Sequence, residues 1–441
     1  MKRWRWLLSQ FVRKLWFRVT VMALIGVATA AAGIFFPLYV PDAWTIRIGA
    51  QAIDGILNLL ASSLLAVTVF SLSTMVAAYS AATNNVTPRA TKLLMEDNTS
   101  QNVLGTFIGA FLFSLVGIVA LSTGLYGTQG RAILLVVTIG LIALIAATIL
   151  RWIDYLARFG RLGETIDRVE RATWGAMETR LAHPHFGGRP MEGRTFPEGA
   201  IAVFSDAIGY IQHVDVAALE AQAKEAGVQV YVTALPGAFA DPSRPVALVT
   251  GPDSEDMRSA ISSAFTIAPE RTFEQDPRFG LCVLSEIASR ALSPAVNDPG
   301  TAIDVIGRAV RLLAKWSRFE ASDTDPEVAR PHVWVPAITA GDMFDDVFAP
   351  IARDGSGLLE IQIRLQKAFV ALVATDRAMF GDAARRHSAR ALKWARSALT
   401  LEDDLRAVEL AAAQIGSVST QNPGSAGLDI NSVGQRSPSK D

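Results

Sequence analysis

The sequence predicts a membrane α-helical domain of four transmembrane helices joined to a cytosolic α+β domain. Three observations carry that expectation. Four long uncharged stretches, Val19 to Val40, Ile56 to Tyr79, Val103 to Tyr126 and Ala132 to Leu150, fill the first third of the 441 residues. Every later apolar run is soon broken by charge, and basic residues flank the four stretches mostly on one side. A helix of ~20 residues at 1.5 Å rise crosses a hydrocarbon core of about 30 Å, so each stretch is long enough to span. The organisation implied is a basic cytoplasmic N-terminus (1–18), a transmembrane domain (19–152) and a helical connector (153–195). A small β-rich subdomain (196–265), a mainly helical subdomain (266–416) and a disordered tail (417–441) follow.

The first stretch is predicted to be a retained span rather than a signal peptide, because it exceeds the ~7 to 15 apolar residues of an h-region. Pro37, Tyr39 and Pro41 also make a poor cleavage site. Orientation follows from the basic residues. Lys2, Arg3, Arg5, Arg13, Lys14 and Arg18 precede the first span, Arg89 and Lys92 lie between the second and third, and Arg151, Arg158, Arg161, Arg168 and Arg171 follow the fourth. Only Arg47 and Arg131 fall on the other side. The positive-inside rule therefore places both termini in the cytoplasm of a bacterial inner membrane. Trp4, Trp6, Trp16, Phe17, Trp44, Trp152 and Tyr155 stand at span boundaries, where interfacial aromatic belts are expected.

The second stretch carries a small and polar face of Ser62, Ser63, Ala66, Ser73, Thr74, Ala77, Ser80, Ala81 and Asn84. The third carries Gly105, Gly109, Ala110, Ser114 and Gly117, with a Gly-x-x-x-Gly spacing that lets backbones approach closely. Such faces serve helix packing, within one bundle or between subunits, or line a watery path. The middle of each span lacks Asp, Glu, Lys, Arg and His, which argues against a charged coupling-ion site. A homo-oligomer in the lipid bilayer is expected through spans two and three.

Beyond the spans, Tyr155 to Leu181 reads as a continuation of the fourth helix with Ile166, Val169, Thr173 and Met177 on one side. His183 to Gly188 break it, and the two histidines lack a Cys or nearby acid to complete a metal site. Strands are predicted at Ala200 to Phe204, Gly209 to Val214, Val228 to Thr233 and Pro245 to Val249, with a helix from Val216 to Lys224 capped by Asp215 and ended at Gly227. This stretch resembles the small β-sandwich of biotinyl and lipoyl carriers in fold alone, since its one lysine, Lys224, lies in the helix.

The densest polar segment runs from Arg271 to Thr301. Its candidate ligand or polar-network residues are Arg271, Glu274, Asp276, Arg278, Glu286, Arg290, Asn297 and Asp298. Asp298 before Pro299 is expected to cap a helix running to about Trp316, and Glu286 with Arg290 makes a favourably ordered helix pair. Two readings stand: a buried polar corner whose members cap and pair with one another, or a ligand site at a helix-turn-helix corner. A catalytic reading has no Ser/His or Cys/His arrangement and no phosphate-cradling loop behind it.

At these residues the chain resembles a family. Arg271-Thr272-Phe273-Glu274-Gln275-Asp276-Pro277 and Arg290-Ala291-Leu292-Ser293-Pro294-Ala295-Val296-Asn297-Asp298-Pro299, with Thr87-Pro88-Arg89 and Leu104-Gly105-Thr106-Phe107, are similar to the bacterial predicted membrane proteins grouped as domain of unknown function 2254. The resemblance spans roughly residues 10 to 410. It departs at Cys282, where a basic residue is expected, at Glu286, where Asp is usual, and at Gly300, where a larger residue is commoner. It implies a bacterial inner-membrane protein and supplies no activity, cofactor or catalytic residue.

Strands and helices continue to the end: a short strand at His332 to Pro336, then helices Ala340 to Ala352, Leu358 to Phe380 and Ala383 to Gln414. A net charge of −1 at pH 7 argues against a nucleic-acid partner, and Cys282, the single cysteine, allows no internal disulfide. The functional expectation is a membrane-anchored regulatory or ligand-binding module with an unidentified cytosolic ligand or protein partner and no cofactor. The alternative is an oligomeric ion channel or passive transporter lined by the second span.

Overall fold

A computed structural model of the chain describes residues 15–35, 50–95, 97–191, 196–319 and 328–417. The expected basic N-terminus up to Lys14, Trp4, Trp6, Trp44, the acidic stretch 320–327 and the tail from 418 lie outside those residues.

The N-terminal part holds α1 (Leu15–Phe35), α2 (Ala50–Asn85), α3 (Pro88–Met95), α4 (Asn98–Ser122) and α5 (Thr128–Arg158). Three of its helical segments are long and apolar enough to cross a membrane: Gln51–Ser80, Thr99–Ser122 and Gln129–Arg158. A fourth apolar stretch, Trp16–Ala32 of α1, is shorter. The bundle is assembled by close backbone approach. Where α1 crosses α4, a Cβ built on Gly109 would stand 2.7 Å from the Met22 carbonyl oxygen, and one on Gly26 would overlap the Gly109 carbonyl. Small residues at such crossings suit helices in lipid, where apolar burial itself gives no driving force. Ile53, Leu57, Ala61 and Leu64 form the buried stripe of α2 that packs on α4. The Tyr126 hydroxyl donates to the Ala30 carbonyl at 2.6 Å.

Helix α5 does not continue into the connector. Phe159 leaves the helical conformation, Gly160 takes φ +78°, and a new helix α6 (Leu162–Ala182) begins after it. A left-handed backbone is what glycine permits at no steric cost, and Phe159-Gly160 is the signal that pure periodicity passed over. The buried side of α6 does carry Ile166, Val169, Thr173 and Met177 as expected. Trp152 and Tyr155 are not a lipid-facing belt. Trp152 is buried and donates to Ser71 Oγ at 3.0 Å, and Tyr155 bonds into the elbow between α5 and α6.

The C-terminal part, from Leu162 on, combines two sheets with a helical layer. Strands β1 (Gly188–Met191), β2 (Ile201–Val203), β3 (Gly209–Val214), β4 (Gln229–Val232), β5 (Phe239–Ala240), β6 (Ala247–Thr250), β7 (Phe265–Ala268) and β8 (Arg330–Pro336) form sheets ordered β1-β8-β4-β6-β2 and β5-β3-β7. Strand β8 lies parallel to both β1 and β4, so the larger sheet is mixed and draws a central strand from over 80 residues further on. A carrier-type β-sandwich is thereby ruled out for this region. Helices α7 (Val216–Ala226) and α8 (Glu255–Ser263) pack beside the sheets, α7 capped by Asp215 and closed at Gly227 (φ +65°).

The helical layer contains α9 (Pro277–Ala291), α10 (Pro299–Ser317), α11 (Ala340–Asp354), α12 (Leu359–Thr375), α13 (Arg377–Ala398) and α14 (Glu402–Ser417). Its core is aromatic: Phe344, Phe348, Phe369 and Phe380 are fully buried, with Phe344 5.1 Å from Phe348 and 5.9 Å from Phe369 between ring centroids. The three expected C-terminal helices are four. Asp376 accepts from the Met379 N–H and starts α13, ending the helix predicted to reach Phe380, and a second break before Glu402 divides Ala383 to Gln414.

Candidate functional site

The polar segment is built around α9. Asp276 caps this helix, accepting from the Phe279 N–H at 3.0 Å, and Pro277 occupies the first helical position, where its missing N–H costs nothing. Arg271 grips both oxygens of the Asp276 carboxylate at 2.7 and 3.0 Å, lies 5.0 Å from the centroid of the Phe279 ring and reaches Cys282 Sγ at 3.6 Å. Burial works against the Arg271 charge, but the Asp276 carboxylate outweighs it and raises the guanidinium above its ordinary value. Burial pushes the Cys282 thiol up to about 12. The Asp276 side chain is only 3% exposed. Gly237, at φ +92°, closes over it so tightly that any Cβ there would overlap the carboxylate. This is a sealed ion pair that locks the start of α9 to the β-rich region, with no open side on Asp276 for a ligand.

The other expected residues disperse. Glu274 sits half-buried in the turn before α9. Arg278 points to α11, holding Asp346 through two bonds of 2.6 and 3.1 Å with Asp342 at 3.4 Å. Glu286 pairs with Arg89 of α3 at 2.5 Å, while Lys92 of α3 pairs with Glu270 at 2.8 Å. Arg290, Asn297 and Asp298 lie at the opposite end of α9, which at 1.5 Å per residue is about 22 Å long. Asn297 is exposed with φ +51°, a left-handed conformation that asparagine tolerates. Asp298 caps α10, accepting from the Thr301 N–H at 3.1 Å and hydroxyl at 2.6 Å, and these two bonds hold its carboxyl below the ordinary range.

A second cluster, which the sequence reading did not single out, joins the spans to the C-terminal part. Asp97 caps α4 through the Thr99 and Ser100 N–H groups at 3.0 Å each, and also accepts from the Tyr155 hydroxyl at 2.8 Å and the Arg168 guanidinium at 2.5 Å. The Asp97 and Arg168 side chains are 14% and 13% exposed. Burial raises the Asp97 carboxyl, but the Ser100 N–H, Arg168 and Tyr155 together outweigh it and leave it below its ordinary value. The signal was present in Asp97-Asn98-Thr99-Ser100, a capping sequence directly before a span.

On the membrane side, Gly105 and Gly109 are buried under α1 of the same chain, so the glycine face expected to join subunits is used within the bundle. Ser62, Ser63, Ser73 and Ser80 are exposed and Thr74 half-exposed on the side of α2 turned away from its own bundle. Ser62, Ser73 and Thr74 donate to carbonyls of the preceding turn at 3.0, 2.9 and 2.9 Å, which satisfies their hydroxyls in lipid. Asn84 lies in the last turn of α2, and its side chain is outside the described residues.

The family described as predicted membrane protein, domain of unknown function 2254, matches residues 12–371, and the chain belongs to it. Uncharacterised proteins of Mycobacterium bovis and Mycobacterium tuberculosis are each 29% identical over 250 residues, covering 54% of this chain. The chain spans about half the length of these curated relatives, 47% of each. No solved structure matches it significantly.

Proposed function

We propose that this family member is a membrane-anchored regulatory or ligand-binding module of the bacterial inner membrane, crossing four times, with both termini and the whole C-terminal part in the cytoplasm and no catalytic step of its own. The observation that carries this reading is the grip of the C-terminal part on α3, the short helix linking two spans. Arg89 and Lys92 reach Glu286 and Glu270, while Arg168 holds Asp97 at the start of the next span. A displacement of α9, caused by a cytosolic ligand or protein, has a direct route to two membrane helices through these pairs. The Arg89 and Glu286 side chains are 57% and 31% exposed, so their pair is weak enough to open and close.

One observation favours a second reading, an oligomeric channel or passive transporter: the serine face of α2 is turned outward from its own bundle. Several copies meeting on that face would surround a path lined by Ser62, Ser73 and Ser80.

Flux of K+, Na+ and Cl− in liposomes, run beside hydrogen exchange on the full chain, tests both. The module reading expects no flux above empty liposomes, and expects R89A/K92A to speed exchange in both α3 and α9. Flux that Ser73→Leu blocks and R89A/K92A leaves unchanged would replace this reading with the channel.

A further inference from the structure

One arginine of the C-terminal part is buried without a carboxylate. Arg180, in the last turn of α6, is 4% exposed and is the only arginine or lysine so deeply buried among the described residues. Its Nη2 donates to the Pro336 carbonyl at 3.0 Å, and its guanidinium lies 4.2 Å from the centroid of the Phe186 ring. No acid answers it among the described residues, and burial alone lowers it to about 10. Arg168, Arg271 and Arg308 are also largely covered, and each holds at least one carboxylate. A buried charge needs a partner of opposite sign and enough acceptors to replace water. One carbonyl engages one of five guanidinium N–H groups, and a helix end offers only about half a charge. Nε and Nη1 have no acceptor among the described residues, yet neither is closed off from the surface.

The turn after α6 adds cationic groups and no acid. His185 Nδ1 meets the Val335 carbonyl at 2.8 Å, so it carries a proton, and Nε2 is left for another partner. Burial holds His185 below its ordinary value, and the nearby Arg180 charge adds to that shift. Arg330 of β8 bonds the Phe186 carbonyl and makes no ion pair among the described residues. Phe186 itself takes φ +53°, a left-handed backbone that a bulky residue adopts only under constraint. Strain of this kind gathers at ligand clamps.

We propose that Arg180 and His185 bind a small oxyanion, the carboxylate or phosphate group of a solute, between the end of α6 and the end of β8. With four N–H groups left, the guanidinium can meet two oxygens at once, and Nε2 of a protonated His185 supplies a further donor. Helix α6 also carries Arg168, which holds Asp97 at the start of α4, so an anion that clamps its end to β8 acts on a helix already joined to a span. As the ligand of a regulatory module the anion rests on that reading; its binding does not.

Hydrogen exchange of the full chain in nanodiscs tests the site, with sodium phosphate and, separately, sodium acetate compared against sodium chloride of equal ionic strength. At an anion concentration about twice the dissociation constant, residues 183–188 and the end of β8 should exchange about threefold more slowly, and the effect should saturate. Protection by phosphate alone identifies a phosphoryl group, by acetate alone a carboxylate, and by both an oxyanion site that takes either. Arg180→Lys keeps the charge without the fork and should weaken binding about tenfold. His185→Ala disturbs less buried structure, serves where Arg180→Lys does not fold, and should weaken binding about threefold. No saturable protection, equal protection by chloride, or unchanged affinity in the folded variants would overturn the proposal. Binding that leaves exchange in α3 unchanged would keep the site and count against the module reading, whereas R89A/K92A still tests that reading if no anion binds.

Discussion

The two halves of this chain pack by opposite means. In the N-terminal bundle, α1 and α4 meet glycine to glycine, Gly26 against Gly109, with so little between them that the carbonyl of one helix fills the place of a side chain on the other. In the C-terminal part, α11, α12 and α13 are held apart by interlocked rings, Phe344, Phe348, Phe369 and Phe380. Lipid already solvates apolar side chains, so a helix pair there gains from contact and not from burial. Water does not, so the other half gains from removing large apolar surface. Composition at a crossing therefore tells which solvent the crossing was built in.

Three perturbations sharpen that contrast. Phe369→Ala should have the largest effect, about 3 to 5 kcal/mol, because it leaves a cavity among rings that cannot collapse. It should be read as loss of exchange protection in α11 to α13 with α1 and α4 unaffected, and equal loss in both halves would mean that they unfold as one unit. Gly109→Leu should cost roughly 1 to 3 kcal/mol by overpacking and act on the other half alone. Disulfide trapping between cysteines placed on α1 and α4 should fall, whereas a loss seen only in oligomer mass would return Gly109 to a contact between copies.

The smallest effect is expected from acid. His387 packs against Phe344 with its Nε2 3.3 Å from Asp345. Burial lowers its pKa to about 4, Arg386 and Arg390 adding to the shift and Asp345 opposing it. The unfolded chain takes up this proton first, near its ordinary pKa of 6.5, so the stability is fully present above that pH and is lost as pH falls toward about 4. The loss should approach at most about 1.4 kcal/mol per pH unit, and His387→Gln should flatten it in a melting series from pH 7 to pH 5. An unchanged acid slope in that variant would assign the effect elsewhere.

Much of this was legible in sequence where one local signal decided the outcome. Three of the four stretches form helices long and apolar enough to span, and Asp215 and Asp298 begin helices because each is followed by N–H groups in need of an acceptor. The apolar repeat Ile361, Leu365, Ala368, Phe369 and Leu372 is buried as its period demands. What could not be read depends on partners far apart in the chain. Periodicity cannot pair β8 with β1 and β4, send Glu286 to Arg89, or close Gly237 over Asp276. The proposed polar corner divided for the same reason: its eight residues lie before, along and after α9, whose two ends face different neighbours.

The Asp97 to Arg168 pair has a consequence for biogenesis. Its two members flank the α4–α5 hairpin, so the pair can close only after both helices have been threaded and their outer ends have emerged on one side of the bilayer. A nascent chain with one helix left behind would strand a carboxylate and a guanidinium on opposite faces. Closure of the pair therefore requires the whole α4–α5 hairpin to be in place, and it holds the first turns of α6 against the start of α4.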